Sequence, residues 1–186
     1  CLLILLGGSE NATAFEDPTH GKPFLPWVWK EQLKPTIERS VKNGNLGLLA
    51  AGAVGSIAAY QYDGDVYEHN RRGENLLMSS DMAGMLGILG GGALGVGIAA
   101  TQLFMDQENG LRHARAIALT SASHVTLALV IARERPGGRG DYLPFKSSFP
   151  SGHASHVYAT ATSLAYAYGF KAGLPAYLLA TAISAG

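Results

Sequence analysis

The sequence predicts an all-α fold, and three observations carry that expectation. No apolar–polar alternation of the kind a half-buried strand requires is sustained anywhere along the chain. Hydrophobic residues make up 47% and charged residues only 15%, with 24 glycines, a composition suited to closely packed helices or to a membrane. The apolar stretches are also long, and polar segments rich in Gly and Pro separate them. With 186 residues the chain can bury a core of its own, and one domain is the default reading.

The elements follow in order. "CLLILLGG" and then Ala12-Thr13-Ala14 resemble the end of a secretory signal peptide, so residues 1–14 are expected to be its remnant. The domain then spans 15–186. Residues 15–45 are polar and Pro-punctuated, with a short aromatic segment and an amphipathic helix from about Lys34. Trp27 and Trp29 suit either the core or a membrane interface. An apolar stretch covers Leu46 to Tyr60, and a solvated loop is expected over 62–75, where Asp63, Asp65 and Glu68 lack the spacing of a calcium loop.

From Met82 to Met105 no charged residue occurs in 24 positions, although seven glycines do, so the run suits a bilayer span or a tightly packed interior helix. A helix is expected from Arg112 to Arg135, another from Pro150 to about Phe170, a turn at "KAGLP", and a last helix from Ala176. His124 and His156 fall on apolar helices, where buried structural histidines are expected.

The chain has 14 Lys and Arg against 14 Asp and Glu. Zero net charge excludes a general nucleic-acid binder, which needs a broad basic surface. Yet "RERPGGRGDYLPFKSSFPSGHASH" gathers three arginines, a lysine and two histidines in 24 positions. Such a local cluster reads as a site. Ser151 after Pro150 is a good N-cap, and Gly152 leaves main chain uncovered. Helix N-termini present free N–H groups and a positive dipole end, so "PSGH" forms an anion cradle with the His153 imidazole at its lip. Arg135 before Pro136 is expected at the last turn of the preceding helix, where its fork of donors suits phosphate oxygens. Thirteen residues, Gly137 to Phe149, join the two helix ends. The single cysteine, Cys1, permits neither an internal disulfide nor a zinc cluster, and no metal is expected.

"RERP", a short loop and "FPSGHAS" resemble the first two signatures of the type 2 phosphatidic acid phosphatase superfamily, which spans class A acid phosphatases, lipid phosphatases and vanadium haloperoxidases. The resemblance covers about Ala83 to Gly186. It implies a helical bundle of that kind and metal-independent hydrolysis of phosphate monoesters or lipid (pyro)phosphates through a phosphohistidine intermediate. It further implies phosphate binding by Arg135, Ser151 and Gly152, with His153 as general acid. Phosphate or vanadate is the expected pocket anion, and a phosphorylated small molecule or lipid head group the expected partner.

Two departures stand out. The position seven residues before Arg135, where the family carries lysine, is Ala128. On a continuous helix it would lie within about 20° of the Arg135 face. Lys146 or Arg139 in the loop is the expected replacement. The chain also ends at "TAISAG", about where the third signature would supply the nucleophilic histidine, its aspartate and a second arginine, so a truncated and inactive chain is expected.

A mean hydropathy of +0.12 favours an exported periplasmic domain. The alternatives are a membrane-embedded lipid phosphatase with its site facing outside, a non-catalytic phosphate-binding relative, and a vanadate-dependent haloperoxidase.

Overall fold

The computed structural model describes residues 17–42, 45–72, 79–134 and 147–185. Among these the regular structure is helical, as the absence of alternation predicts. The chain opens with α1 (Phe24–Trp27), a π-helical segment (Val28–Leu33) and α2 (Lys34–Ser40), followed by α3 (Asn45–Tyr60) and α4 (Asp63–Arg71). The bundle proper is α5 (Ser80–Gly90), α6 (Ala93–Met105), α7 (Gln107–Ile131), α8 (Gly152–Tyr168) and α9 (Phe170–Ala185). Trp27 is buried while Trp29 is exposed.

Local chemistry moves three of the expected boundaries. The loop expected over 62–75 is helical from Asp63 to Arg71. Asp63 and Asp65 stand in its first turn, where the helix dipole favours carboxylates, and Glu68 pairs with Arg72 at 3.9 Å. The uncharged run from Met82 to Met105 is two helices bent by 45°, because Gly92 takes a left-handed φ of +88° that no helix continues through. The turn expected at "KAGLP" falls earlier, at Gly169 with φ +77°, so α9 begins at Phe170 and carries Pro175 inside it.

The core is small. Val157, Ala161, Ala180 and Ile183 form its centre, with Leu86 and Ala176 against them. α8 runs through the middle, packed on α7 and α9, with α5 closing over both α8 and α9. Small residues set the spacing: a Cβ on Gly173 would stand 2.6 Å from the Cβ of Ala165. The absence of a side chain at Gly173 lets α8 and α9 approach this closely.

Across the α6–α7–α8 junction runs a buried polar chain. His113 on α7 is fully buried, with Nδ1 2.7 Å from Gln102 Oε1 and Nε2 3.2 Å from Thr160 Oγ1. The Gln102 amide donates onward to the Tyr168 hydroxyl at 3.0 Å. Because a carbonyl oxygen only accepts, His113 is protonated on Nδ1, and its Nε2 accepts from Thr160.

Much of the apolar surface faces outward. α3 buries none of its residues and exposes Leu46, Leu48, Leu49, Val54 and Ile57. The last turns of α7 expose Val125, Leu127, Leu129, Val130 and Ile131.

Candidate functional site

The site is assembled where α7 ends and α8 begins. α7 stops at Ile131, four residues short of the expected end at Arg135, because Ala132 turns left-handed at φ +46°. Main-chain pairing replaces the missing turn. Glu134 bridges to Ser147, the Ser148 amide donates to the Arg133 carbonyl at 2.7 Å, and the Ser148 hydroxyl reaches the Glu134 carbonyl at 3.1 Å. Residues 133–134 and 147–148 are thus held side by side at the neck of the loop between them. Arg135 and Lys146 flank that neck in sequence and lie outside the described residues. Since α7 has ended before Arg135, the helical phase linking position 128 to Arg135 does not apply. Ala128 itself is completely buried.

From the neck the chain passes Ser147, whose hydroxyl donates to the Phe149 carbonyl at 2.7 Å, and reaches Ser151. Ser151 is extended (φ −69°, ψ 119°) and caps α8, its hydroxyl accepting from the Ala154 amide at 3.3 Å. The N-cap expected from the sequence is in place. With the Ala154 amide occupied, the amides of Gly152 and His153 are the first-turn donors without a helical acceptor. A side chain at Gly152 would press on His124: a Cβ there would lie 3.1 Å from His124 Nε2.

His153 is exposed and stands against the end of α5, where a Cβ on Gly90 would be 2.7 Å from His153 Cδ2 and 2.8 Å from Ile183 Cγ2. The last turn of α9 therefore reaches the same end of the bundle as the cradle. Behind the first turn of α8 sit two further histidines. His156 Nδ1 is 2.7 Å from the Gly152 carbonyl and its Nε2 2.8 Å from Ser121 Oγ on α7. The His124 ring meets it edge-on, centroids 6.4 Å apart, and His124 Nδ1 is buried with no hydrogen-bond partner among the described residues.

A described cation stands in the neck itself: Arg133, whose main-chain carbonyl accepts from Ser148. It is ion-paired to Asp63 on α4 and lies over the Tyr60 ring, 5.1 Å from its centroid. That pairing commits its charge to fastening the end of α3 and the start of α4 to the neck.

Ser151, Gly152 and His153 thus come together as one edge of main-chain donors with an imidazole beside it. Two features were missed from the sequence: the Ser121–His156–Gly152 chain and the neck pairing of 133–134 with 147–148. Both join residues far apart in the chain, and neither residue type carries a signal alone. Among the described residues no group of His, Cys, Asp and Glu is arranged to hold a metal. No protein-family model, curated protein or solved structure matches the chain.

Proposed function

We propose that this end of the bundle binds the phosphoryl group of a phosphate monoester or lipid (pyro)phosphate, in a phosphatase of the type 2 phosphatidic acid phosphatase kind. The observation that carries the reading is the neck. Pairing of Glu134 with Ser147 holds the chain leading into Arg135 beside the chain leading into the Ser151-capped first turn of α8. A tetrahedral dianion at that turn meets free amides and the positive dipole end. The Arg135 guanidinium and Lys146 are proposed as its side-chain partners.

In hydrolysis a nucleophile bonds to phosphorus as the P–O bond breaks, and protonated His153 gives its proton to the departing ester oxygen, so the leaving group departs as an alcohol. A covalent phosphohistidine step needs a nucleophilic histidine oriented by an acid. The arrangement Ser-Arg, five residues, His, three residues, Asp does not occur in these 186 residues. Their own expected behaviour is therefore anion binding without turnover.

Titrating the 186-residue chain with orthovanadate by calorimetry tests the reading. Saturable binding that weakens at least tenfold in His153→Ala and Arg135→Ala is expected, with no release of nitrophenol from an aryl phosphate. Absence of any saturable binding sinks the phosphate reading, and turnover abolished by His153→Ala places the nucleophile elsewhere.

A second reading, a membrane-embedded phosphatase, is favoured by one observation. α7 is long and apolar enough to cross a bilayer, and only 6% of its apolar window is buried against the rest of the chain. The bent α5–α6 pair passes the same test as one broken span. A periplasmic domain is released from membranes by alkaline carbonate and an integral protein is not.

A further inference from the structure

The first turn of α8 is held by more than its cap. The Gly152 carbonyl can only accept, so His156 carries its proton on Nδ1 and gives it to that carbonyl at 2.7 Å. Its Nε2 then presents a lone pair to Ser121 on α7, and the serine hydroxyl donates across 2.8 Å. The result is one continuous hydrogen-bonded chain, from the α7 hydroxyl through the imidazole to the main chain of the residue that opens α8. On the other side of that residue the His124 ring stands 3.1 Å from where a Gly152 Cβ would be. Gly152 lies between the imidazole bonded to its carbonyl and the His124 ring.

Ser–His pairs with the imidazole oriented by a third group also activate serine nucleophiles. Here the cavities on the two faces of α8 are lined by His156 on one side and Ser155 on the other, and Ser121 lines neither. The geometry is that of a clamp.

We propose that His156, through Ser121, is a positioning residue: it fixes the Gly152–His153 peptide and so aims the His153 amide at the anion. This rests on the phosphate reading above for its ligand, while the clamp itself is a claim about the first turn alone. Preorganised donors bind a developing or resident charge better because nothing must be reordered on binding.

The 186-residue chain, purified in whichever of buffer or detergent keeps it folded, is compared with His156→Leu, His156→Gln and Ser121→Ala. Glutamine restores a donor and an acceptor on one planar group. Amide exchange at Ser155 and His156, whose N–H groups close the first turn, reads the clamp without any ligand. His156→Leu and Ser121→Ala should speed that exchange about tenfold while exchange in the middle of α9 is unchanged, and His156→Gln should stay within about threefold of the parent. Orthovanadate affinity should follow the same order, falling about tenfold in His156→Leu and recovering in His156→Gln.

Unchanged exchange in both His156→Leu and Ser121→Ala overturns the proposal. Faster exchange with undiminished vanadate affinity overturns it as well, since the clamp would then aim nothing. If the parent binds no vanadate while exchange responds as described, the phosphate reading fails and the clamp stands. If His156→Leu does not fold, Ser121→Ala, which loses a single oxygen, decides both arms.

Discussion

The α7–α8 interface contains the same chemical pair twice, and the two copies do different things. Deep in the bundle, His113 on α7 accepts from Thr160 on α8; at the bundle end, His156 on α8 accepts from Ser121 on α7. Both imidazoles are protonated on Nδ1, because each faces a carbonyl oxygen there. The difference lies in whose carbonyl it is. His113 donates to the Gln102 side chain on α6, which continues to Tyr168, so the inner pair links three helices and leaves both imidazole nitrogens satisfied. His156 donates to main chain in the first turn of its own helix, and beside it His124 Nδ1 has no hydrogen-bond partner among the described residues. The inner chain is closed and structural. The outer chain is open-ended and controls one peptide at the mouth of the candidate site.

The largest effect should come from breaking the inner pair. His113→Leu keeps the volume but strands Gln102 Oε1 and the Thr160 hydroxyl, both on buried residues. We expect a loss of about 3 kcal/mol in stability, read from denaturant unfolding. A loss below about 1 kcal/mol would mean that the inner chain relaxes to other partners, and the contrast between the two pairs would dissolve.

Ser151→Ala comes next and acts at the outer end. It removes the acceptor of the Ala154 amide, and loss of such a cap costs about 1 kcal/mol. The expected signature is local. Vanadate affinity should fall with the cap while unfolding shifts only by that amount, whereas His113→Leu should shift unfolding far more and leave the affinity of the folded fraction intact.

The contrast also shows what was legible in the chain beforehand. The all-α class and the placing of most apolar helices follow from composition and from where Gly and Pro interrupt apolar runs, and Ser151 as the N-cap follows from local chemistry alone. Local signals misjudged four boundaries, the turn expected at "KAGLP" among them. A carboxylate-rich segment at 62–75 was read as solvated loop although Asp63 and Asp65 favour a helix start, a single left-handed glycine divided Met82–Met105, and α7 ended at Ala132 rather than at the proline. The candidate site was legible as residue types at helix ends. The neck and the two histidine chains were not, because each depends on residues at least 13 positions apart that meet only through packing. The outward apolar faces of α3 and α7 were equally hidden, since periodicity in an Ala- and Gly-rich helix is too weak to say which side is covered.

The smallest expected effect tests whether the outer region extends to the α3–α4 pair. Arg133 leaves the neck to pair with Asp63 and to cover the Tyr60 ring, and both of its partners are substantially exposed. Ion pairs of this exposure contribute under about 1 kcal/mol, and water and salt screen them. Arg133→Ala should therefore leave the bundle's unfolding midpoint almost unmoved. The main chain of Arg133 still accepts from Ser148, so the neck should survive, and with it vanadate affinity within about twofold. Exchange should quicken in the first turn of α4, and raising the salt concentration in the parent protein should reproduce part of that change. A fall in vanadate affinity beyond tenfold in Arg133→Ala would assign this arginine to the anion after all. The site would then have its missing cation at Arg133, and the Asp63 pairing would be one that the ligand displaces.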